Sequence, residues 1–171
     1  GDDGHVLCRD AWRGSFFSEG WNIMDRVKEF DINPSEIWTT YVCRNCRSYQ
    51  VKAFVGENQD CPYCTAKGDQ AQLTTNVGLG VTERQLNEIY NLMDVYCHPF
   101  TSGGQELPIQ EAKLSGLVTL VTNYSCGEDL CDPQAYSLPL SWAEYREPGT
   151  EFIKASTYPE SIASKLDAVI K

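Results

Sequence analysis

The chain has 171 residues, 42% of them hydrophobic, with a formal net charge of −10 and a sequence pI near 4.6. That length suits one domain with a small insertion and a real core. The acidic balance argues against a protein that grips nucleic acid through many phosphates, because such domains need a basic face. No apolar run approaches the ~20 residues of a membrane-spanning helix.

The first stretch reads as strand, loop, helix and strand. His5–Cys8 is a short apolar run, and Arg9–Gly20 is rich in Gly, Ser and aromatics, as a loop would be. Trp21, Met24, Val27 and Phe30 recur at three-residue steps and predict an amphipathic helix, broken by Asn33-Pro34-Ser35. Ile37–Val42 is β-branched and aromatic, hence a strand. This order predicts a βαβ unit. Arg9 and Arg13 follow its first strand and could reach ligand phosphates, although arginines in loops are mostly just solvated.

The eight cysteines call for either disulfides or metal, and spacing decides. Cys43 and Cys46, then Cys61 and Cys64, form two CxxC knuckles separated by fourteen residues. Four thiolates at that spacing close a tetrahedron around Zn²⁺. Val51, Ala53 and Val55 alternate in the spacer before a Gly-Glu-Asn turn, so residues 41–70 read as a zinc ribbon inserted in the domain. With all four ligands cysteine, no position is left for water, and the zinc is expected to be structural. The start of the chain carries no secretory pattern. A reducing, cytoplasmic setting is therefore expected, which favours metal over disulfides. A nucleic-acid zinc ribbon is a functional rival. Arg44, Arg47, Lys52 and Lys67 give the knuckles a basic rim, offset by Glu57, Asp60 and Asp69.

Ala71–Val77 reads as a strand and Gly78–Gly80 as a turn. Thr82 and Gln85 have capping-box spacing for a helix whose stripe is Leu86, Ile89, Tyr90 and Met93. Asp94–Phe100 is a buried strand stopped by Pro99. Ser102-Gly103-Gly104 is a turn, and Pro108 stands at a helical first turn, where its missing N–H does no harm. Leu107, Ile109, Ala112, Leu114 and Leu117 have roughly helical spacing, and Gly116 is a stop signal. Val118–Thr122 is the next strand, giving a second βαβ unit. His98 ends the first of these strands; it reads either as a strand-end histidine satisfied by hydrogen bonds or as part of a pocket. Asn123–Asp132 is a loop in which Tyr124, Ser125, Gly127 and Glu128 could line that pocket, with Cys126 and Cys131 as free thiols or a disulfide. Tyr136–Trp142 reads as a strand, Glu144–Gly149 as a turn and Phe152–Ala155 as a strand. Pro159 opens a final helix with Ile162, Leu166, Val169 and Ile170 apolar.

Glycines ahead of a helix N-terminus let backbone N–H groups approach an anion, and the helix dipole favours negative charge there. A carboxylate about one turn further on, Glu111, could accept hydrogen bonds from sugar or ribose hydroxyls. Together they suit a nucleotide-sugar.

Residues 82–130, through LNEIYNLMDVYCHPF, TSGGQELPIQEAKLSG and LVTLVTNYSCGEDL, resemble the C-terminal, donor-binding domain of group 1 retaining glycosyltransferases of the GT-B fold. Asp94, Pro99, Gly104, Leu107, Pro108, Glu111, Ala112 and Gly116 fall in one register with that family's pattern. The resemblance implies an α/β, Rossmann-like parallel sheet with helices on both faces, here as a single domain over residues 1–171. It implies donor contacts from Ser102, Gly103, Gly104, Gln105, Glu106, Leu107 and Glu111, with the ribose on Glu111. In the family two glutamates stand with seven residues between them. Glu111 matches the second, but Gly103 occupies the place of the first, which touches the donor sugar; Glu106 could substitute from a shifted position. The family's upstream strand and basic phosphate pair have no match, so the chain is expected to begin mid-protein, without an acceptor-binding half, and to be inactive alone. No general base is visible. The alternatives are a non-catalytic binding or scaffold module on the same sheet, and a zinc-ribbon nucleic-acid adaptor.

Overall fold

The computed structural model describes residues 6–10, 15–19, 23–55, 59–68, 71–74 and 80–171. The expected roles of His5, Arg13, Trp21, the 56–58 turn, Asp69 and residues 75–79 fall outside them, as do the side chains of Arg9 and Met24. The chain divides into two compact units, Gly1–Thr82 and Glu83–Lys171.

In the first unit every described strand pair is antiparallel. β1 (Val6–Asp10) pairs with β2 (Ser15–Glu19). The reading of residues 9–20 as a loop is therefore corrected: only four residues separate the two strands, enough for a hairpin but too few for a parallel crossover. Helix α1 (Ile23–Glu29) follows, with Val27 buried but Phe30 exposed. Asn33 accepts a hydrogen bond from the Ser35 N–H and starts a single 3₁₀ turn, Pro34–Glu36. β3 (Trp38–Cys43) then lies between β4 (Tyr49–Ala53) and β5 (Gln72–Thr74), antiparallel to both. The βαβ unit expected over residues 5–42 is not formed, because β3 gives both its edges to later strands. Tyr41, Val42 and Cys43 on β3 are fully or almost fully buried.

The second unit carries the parallel sheet. Helix α2 (Glu83–Tyr90) leads into β6 (Val95–His98), helix α3 (Leu107–Leu114) and β7 (Val118–Thr122). The short helix α4 (Cys126–Leu130) then leads to β8 (Ser137–Leu140). The order is β6-β7-β8, and both pairings are parallel. β7 is the middle strand, and its sequence Val-Thr-Leu-Val-Thr is β-branched at four of five positions, as a strand covered on both faces should be. Its two threonines are fully buried. Thr119 Oγ1 donates to Ser137 Oγ at 2.8 Å, and Thr122 Oγ1 meets Thr157 Oγ1 at 2.8 Å, so neither hydroxyl is stranded in the core.

Helix α3 ends as its sequence predicts. The Leu117 N–H returns to the Ala112 carbonyl and the Gly116 N–H to that of Lys113, with Gly116 left-handed at φ +82°. This is a Schellman close, which a residue with a Cβ would strain. Ile109, Ala112 and Leu117 are buried, whereas Leu107 and Leu114, also expected in the stripe, are exposed.

β9 (Trp142–Arg146) and β10 (Ile153–Thr157) form an antiparallel hairpin, so the turn expected over 144–149 begins later than predicted. Helix α5 (Pro159–Ile170) starts at Pro159 as predicted. The hairpin backs the loops that leave the parallel strands. The Ala155 N–H donates to the Thr101 carbonyl at 2.8 Å, Tyr124 Oη to that of Ile153 at 2.8 Å, and Trp142 Nε1 to that of Asn123 at 2.6 Å.

Gly127 sits where these loops converge. A Cβ there would overlap the Thr122 carbonyl oxygen and come within 2.9 Å of Phe100 Cζ. Gly127→Ala is expected to destabilise the second unit by about 1–3 kcal/mol, whereas Gly104→Ala, where a Cβ meets nothing within 4 Å, should stay near neutral. Urea titrations of both variants check this.

Candidate functional site

Two clusters of chemistry-bearing residues stand out, one in each unit. In the first, Cys43 ends β3 and Cys46 follows in a tight knuckle, with Arg47 left-handed at φ +59°. The Cys43 N–H donates to the Ser48 carbonyl at 2.9 Å, and the Arg47 N–H to that of Cys43 at 3.0 Å. Cys61 and Cys64 form the second knuckle, in which the Tyr63 N–H points at Cys61 Sγ, 3.4 Å away. A backbone bridge between Gln59 and Gln72 fastens this knuckle to β5. The four Sγ atoms all lie within 4.8 Å of one another. Cys43 and Cys64 are 3.8 Å apart, Cys46 and Cys61 3.7 Å.

Four sulfurs placed 2.3 Å from a common centre, the Zn–S bond length, form a tetrahedron with edges of about 3.8 Å. The observed separations fit that figure and lie far beyond a disulfide bond of about 2.05 Å. Asn45 Nδ2 reaches Cys64 Sγ at 3.5 Å, and Ser48 Oγ lies 3.0 Å from Cys46 Sγ, the kind of outer support that fixes ligands. Burial pushes the Cys43 thiol up to about 11. At Cys61 burial also opposes ionisation, but hydrogen bonds from Ser48 and from the Tyr63 and Cys64 N–H groups outweigh it and bring the thiol down to about 6. A divalent cation would deprotonate all four, since the thiolate is the ligand. The cluster can therefore hold a metal ion.

The second cluster lies at the C-terminal ends of the parallel strands, where ligands bind in open α/β sheets. Here the turn expected to hold an anion meets helix α3. Among the described residues, the N–H groups of Ser102, Gly103, Gly104 and Gln105 donate to no backbone carbonyl, while the Glu106 N–H points at the Cys126 thiol. Glu106 takes the N-cap position of α3, but its side chain makes no capping bond. Instead the carboxylate folds back. Glu106 Oε2 lies 3.2 Å from His98 Nε2, and a Cβ built on Gly103 would overlap Oε1 and stand 2.9 Å from Cδ. The Glu106 acid thus occupies the space where a side chain at 103 would begin. Ser125, left-handed at φ 56°, donates its Oγ to the Gly103 carbonyl at 2.9 Å and joins the loop after β7 to the turn. The adjacent Cys126 thiol is pushed up, chiefly by burial and also by the Glu106 carboxylate.

Glu111 lies on the other side of α3. It is exposed, and its Oε2 accepts from the Tyr90 hydroxyl of α2 at 3.1 Å. Burial, then this hydrogen bond, hold the Tyr90 phenol well above its usual range. Glu111 and Tyr90 line a cavity of about 290 Å³ between α2 and α3, together with Glu83, Leu86, Asn87, Leu114 and Ser115. Both carboxylates also raise the pKa of Tyr96, after burial, so the field of each reaches the same phenol.

The structure therefore brings Gly103, Glu106, His98 and Ser125 together. Ser102, Gly104, Gln105 and Leu107 stay exposed beside them, and Glu111 opens onto the helix pair. Sequence reasoning did not foresee Tyr90 and Tyr96 as part of the site. Tyr96 and His98 are two apart on a strand and so share a face, which was the available signal; Tyr90 read as core, and only its hydroxyl reaches outward. Cys126 and Cys131 are both free thiols. No protein-family model, no curated protein and no solved structure matches the chain.

Replacing either Cys43 or Cys61 by Ala is expected to abolish stoichiometric metal binding and lower the melting temperature of the first unit. Cys97→Ala and Cys131→Ala should leave metal content unchanged. Elemental analysis beside thermal unfolding checks both.

Proposed function

We propose that the second unit binds a nucleotide-sugar, as the donor-binding part of a retaining glycosyltransferase of GT-B type, and that the metal of the first unit is a structural zinc. The observation that carries the first statement is the run of amides from Ser102 to Gln105 at the head of α3, which donate to no backbone carbonyl; Glu111 adds an exposed carboxylate in a cavity of about 290 Å³ between α2 and α3, which these amides do not line. Amides at a helix N-terminus take phosphate oxygens. Glu111, already accepting from Tyr90, has lone pairs left for the vicinal hydroxyls of a ribose. Leu86 and Leu114 give the cavity apolar area against which a base could lie. The cavity is at the small end of the ligand-pocket range. Glu106, over Gly103, is placed to meet the sugar.

In the transfer, the bond between the anomeric carbon and the diphosphate breaks, a bond to an acceptor oxygen forms with retention, and the acceptor hydroxyl's proton passes to the leaving diphosphate oxygen. Negative charge grows on the leaving diphosphate, and donors already in place stabilise it. The amides from Ser102 to Gln105 are such donors. The described residues supply no general base, and an acceptor-binding partner domain would have to complete the site.

One observation favours a second reading, a non-catalytic module. In the second unit the lysine on α3, Lys113, donates to the Leu130 carbonyl rather than to the turn, and Glu106 puts negative charge beside the amides. A nucleic-acid role for the cysteine unit is disfavoured by its rim: Lys52 is held by Gln72 and lies over the Tyr41 ring, and Arg47 donates to the Gly80 carbonyl.

Calorimetry with UDP and GDP tests the donor reading. One nucleotide should bind the wild type, and Glu111→Ala should weaken it roughly tenfold, the cost of a hydrogen bond to a charged group. Equal affinity in both proteins contradicts the ribose role, and no binding of either nucleotide favours the non-catalytic module. For the metal, protein purified without added metal should carry one zinc per chain by elemental analysis; a different metal at that stoichiometry contradicts zinc.

A further inference from the structure

The Glu106 carboxylate is held by more than its own backbone. Tyr96, His98 and Phe100 alternate along β6 and beyond it, and their rings lie in sequence. Tyr96 and His98 are stacked with centroids 5.5 Å apart, and His98 and Phe100 are tilted at 5.6 Å. Tyr96 Oη is 3.0 Å from His98 Nδ1, and His98 Nε2 is 3.2 Å from Glu106 Oε2. The side chains of His98 and Glu106 are only 24% and 22% exposed. A carboxylate accepts, so the arrangement that satisfies all three groups has Nε2 donating to Glu106. Nδ1 is then left to accept from the phenol, which burial and the two nearby carboxylates keep protonated. Each member of this chain fixes the next, and the last atom, Glu106 Oε1, ends over the bare Cα of Gly103.

We infer that His98 is a positioning residue that holds the Glu106 carboxylate over Gly103, and that this carboxylate, supplied from position 106 rather than 103, receives the hydroxyl groups of a sugar at the mouth of β6. The second clause rests on the donor-site reading; the first stands on the hydrogen-bonded chain alone. A glutamate at 103 would need no such support, because its own backbone would place it. Supplied from 106, the acid stands at a helix N-cap and would be free to cap α3, so a partner must draw it back. His98 is that partner, and Gly103 leaves the room.

Two measurements on the full chain test this. Long-range ¹H–¹⁵N spectra of the imidazole should show His98 protonated at Nε2 and bare at Nδ1; the opposite tautomer overturns the positioning role. The affinities of UDP and UDP-glucose, and of GDP and GDP-mannose, then isolate what the sugar adds. His98→Leu should cut that sugar increment roughly tenfold while leaving the bare nucleotide unchanged, and His98→Gln, which keeps an N–H donor, should restore most of it. In the exchanged variant Gly103→Glu/Glu106→Gly, His98→Leu should cost nothing. Equal losses for nucleotide and nucleotide-sugar, or the same loss in the exchanged variant, overturn the proposal. If no nucleotide or nucleotide-sugar binds the wild type, the donor reading and the sugar clause both fall, while an Nε2–H tautomer would still uphold the positioning clause.

Discussion

The second unit's site depends on one steric fact. Gly103 has no side chain, and the carboxylate of Glu106 fills the place where one would stand. Had position 103 carried a Cβ, Glu106 could not fold back, and the nearest task for its side chain would be to cap α3. As it is, the helix begins without a side-chain cap. The same fold-back gives His98 a partner, and through His98 the hydroxyl of half-buried Tyr96 is satisfied.

That arrangement is rigid because the strands beneath it are. β7 is covered on both faces, and its buried hydroxyls are paired to β8 and β10. Fully buried Ile109, Leu120 and Leu140 each contribute about 1.5–3 kcal/mol of burial. Above this core, the β9–β10 hairpin ties the loops after β6 and β7 with three hydrogen bonds, two donated to loop carbonyls and one accepted from Tyr124 by the Ile153 carbonyl. Glycine at 127 allows the close approach that brings Ser125 to the turn. A loop held from below and behind can keep donors in place without a ligand, which is what electrostatic stabilisation requires. The cysteine cluster solves a different problem. Among the described residues of the first unit the strands are short and antiparallel, and Cys43, Cys61 and Ala71 form a small buried cluster at which a bound metal would add folding free energy.

Much of the second unit was legible from sequence. Val118–Thr122 and the helix from Pro159 lie where period and proline placed them, and the glycine stop at 116 is a left-handed close. These signals are local: a run of β-branched residues, a helix-opening proline, a glycine after an apolar stripe. The cysteine spacing was legible for the same reason, since each knuckle is built within four residues. What could not be read was partnership between distant segments. His5–Cys8 looked like the first strand of a parallel unit, but strand type does not reveal which edge pairs with which, and Ser15–Glu19 pairs with the strand observed at Val6–Asp10. Leu107 and Leu114 fit a helical stripe, yet nothing covers them within the described residues. At the site, Gly103 looked like a loss of the acid, because sequence alone does not show that the side chain three positions on turns back over it.

The central claim is that the mouth of the parallel sheet takes a nucleotide joined to a sugar. A thermal-shift panel of nucleoside diphosphates and their sugar esters tests it most directly, since a ligand that binds only the folded state raises the melting point in proportion to the logarithm of its saturation. The account predicts that one nucleoside family raises the melting temperature by several degrees, about 2–4 °C per kcal/mol for a chain of this size, and that its sugar ester raises it further. A flat response across the whole panel, at concentrations up to millimolar, would contradict it.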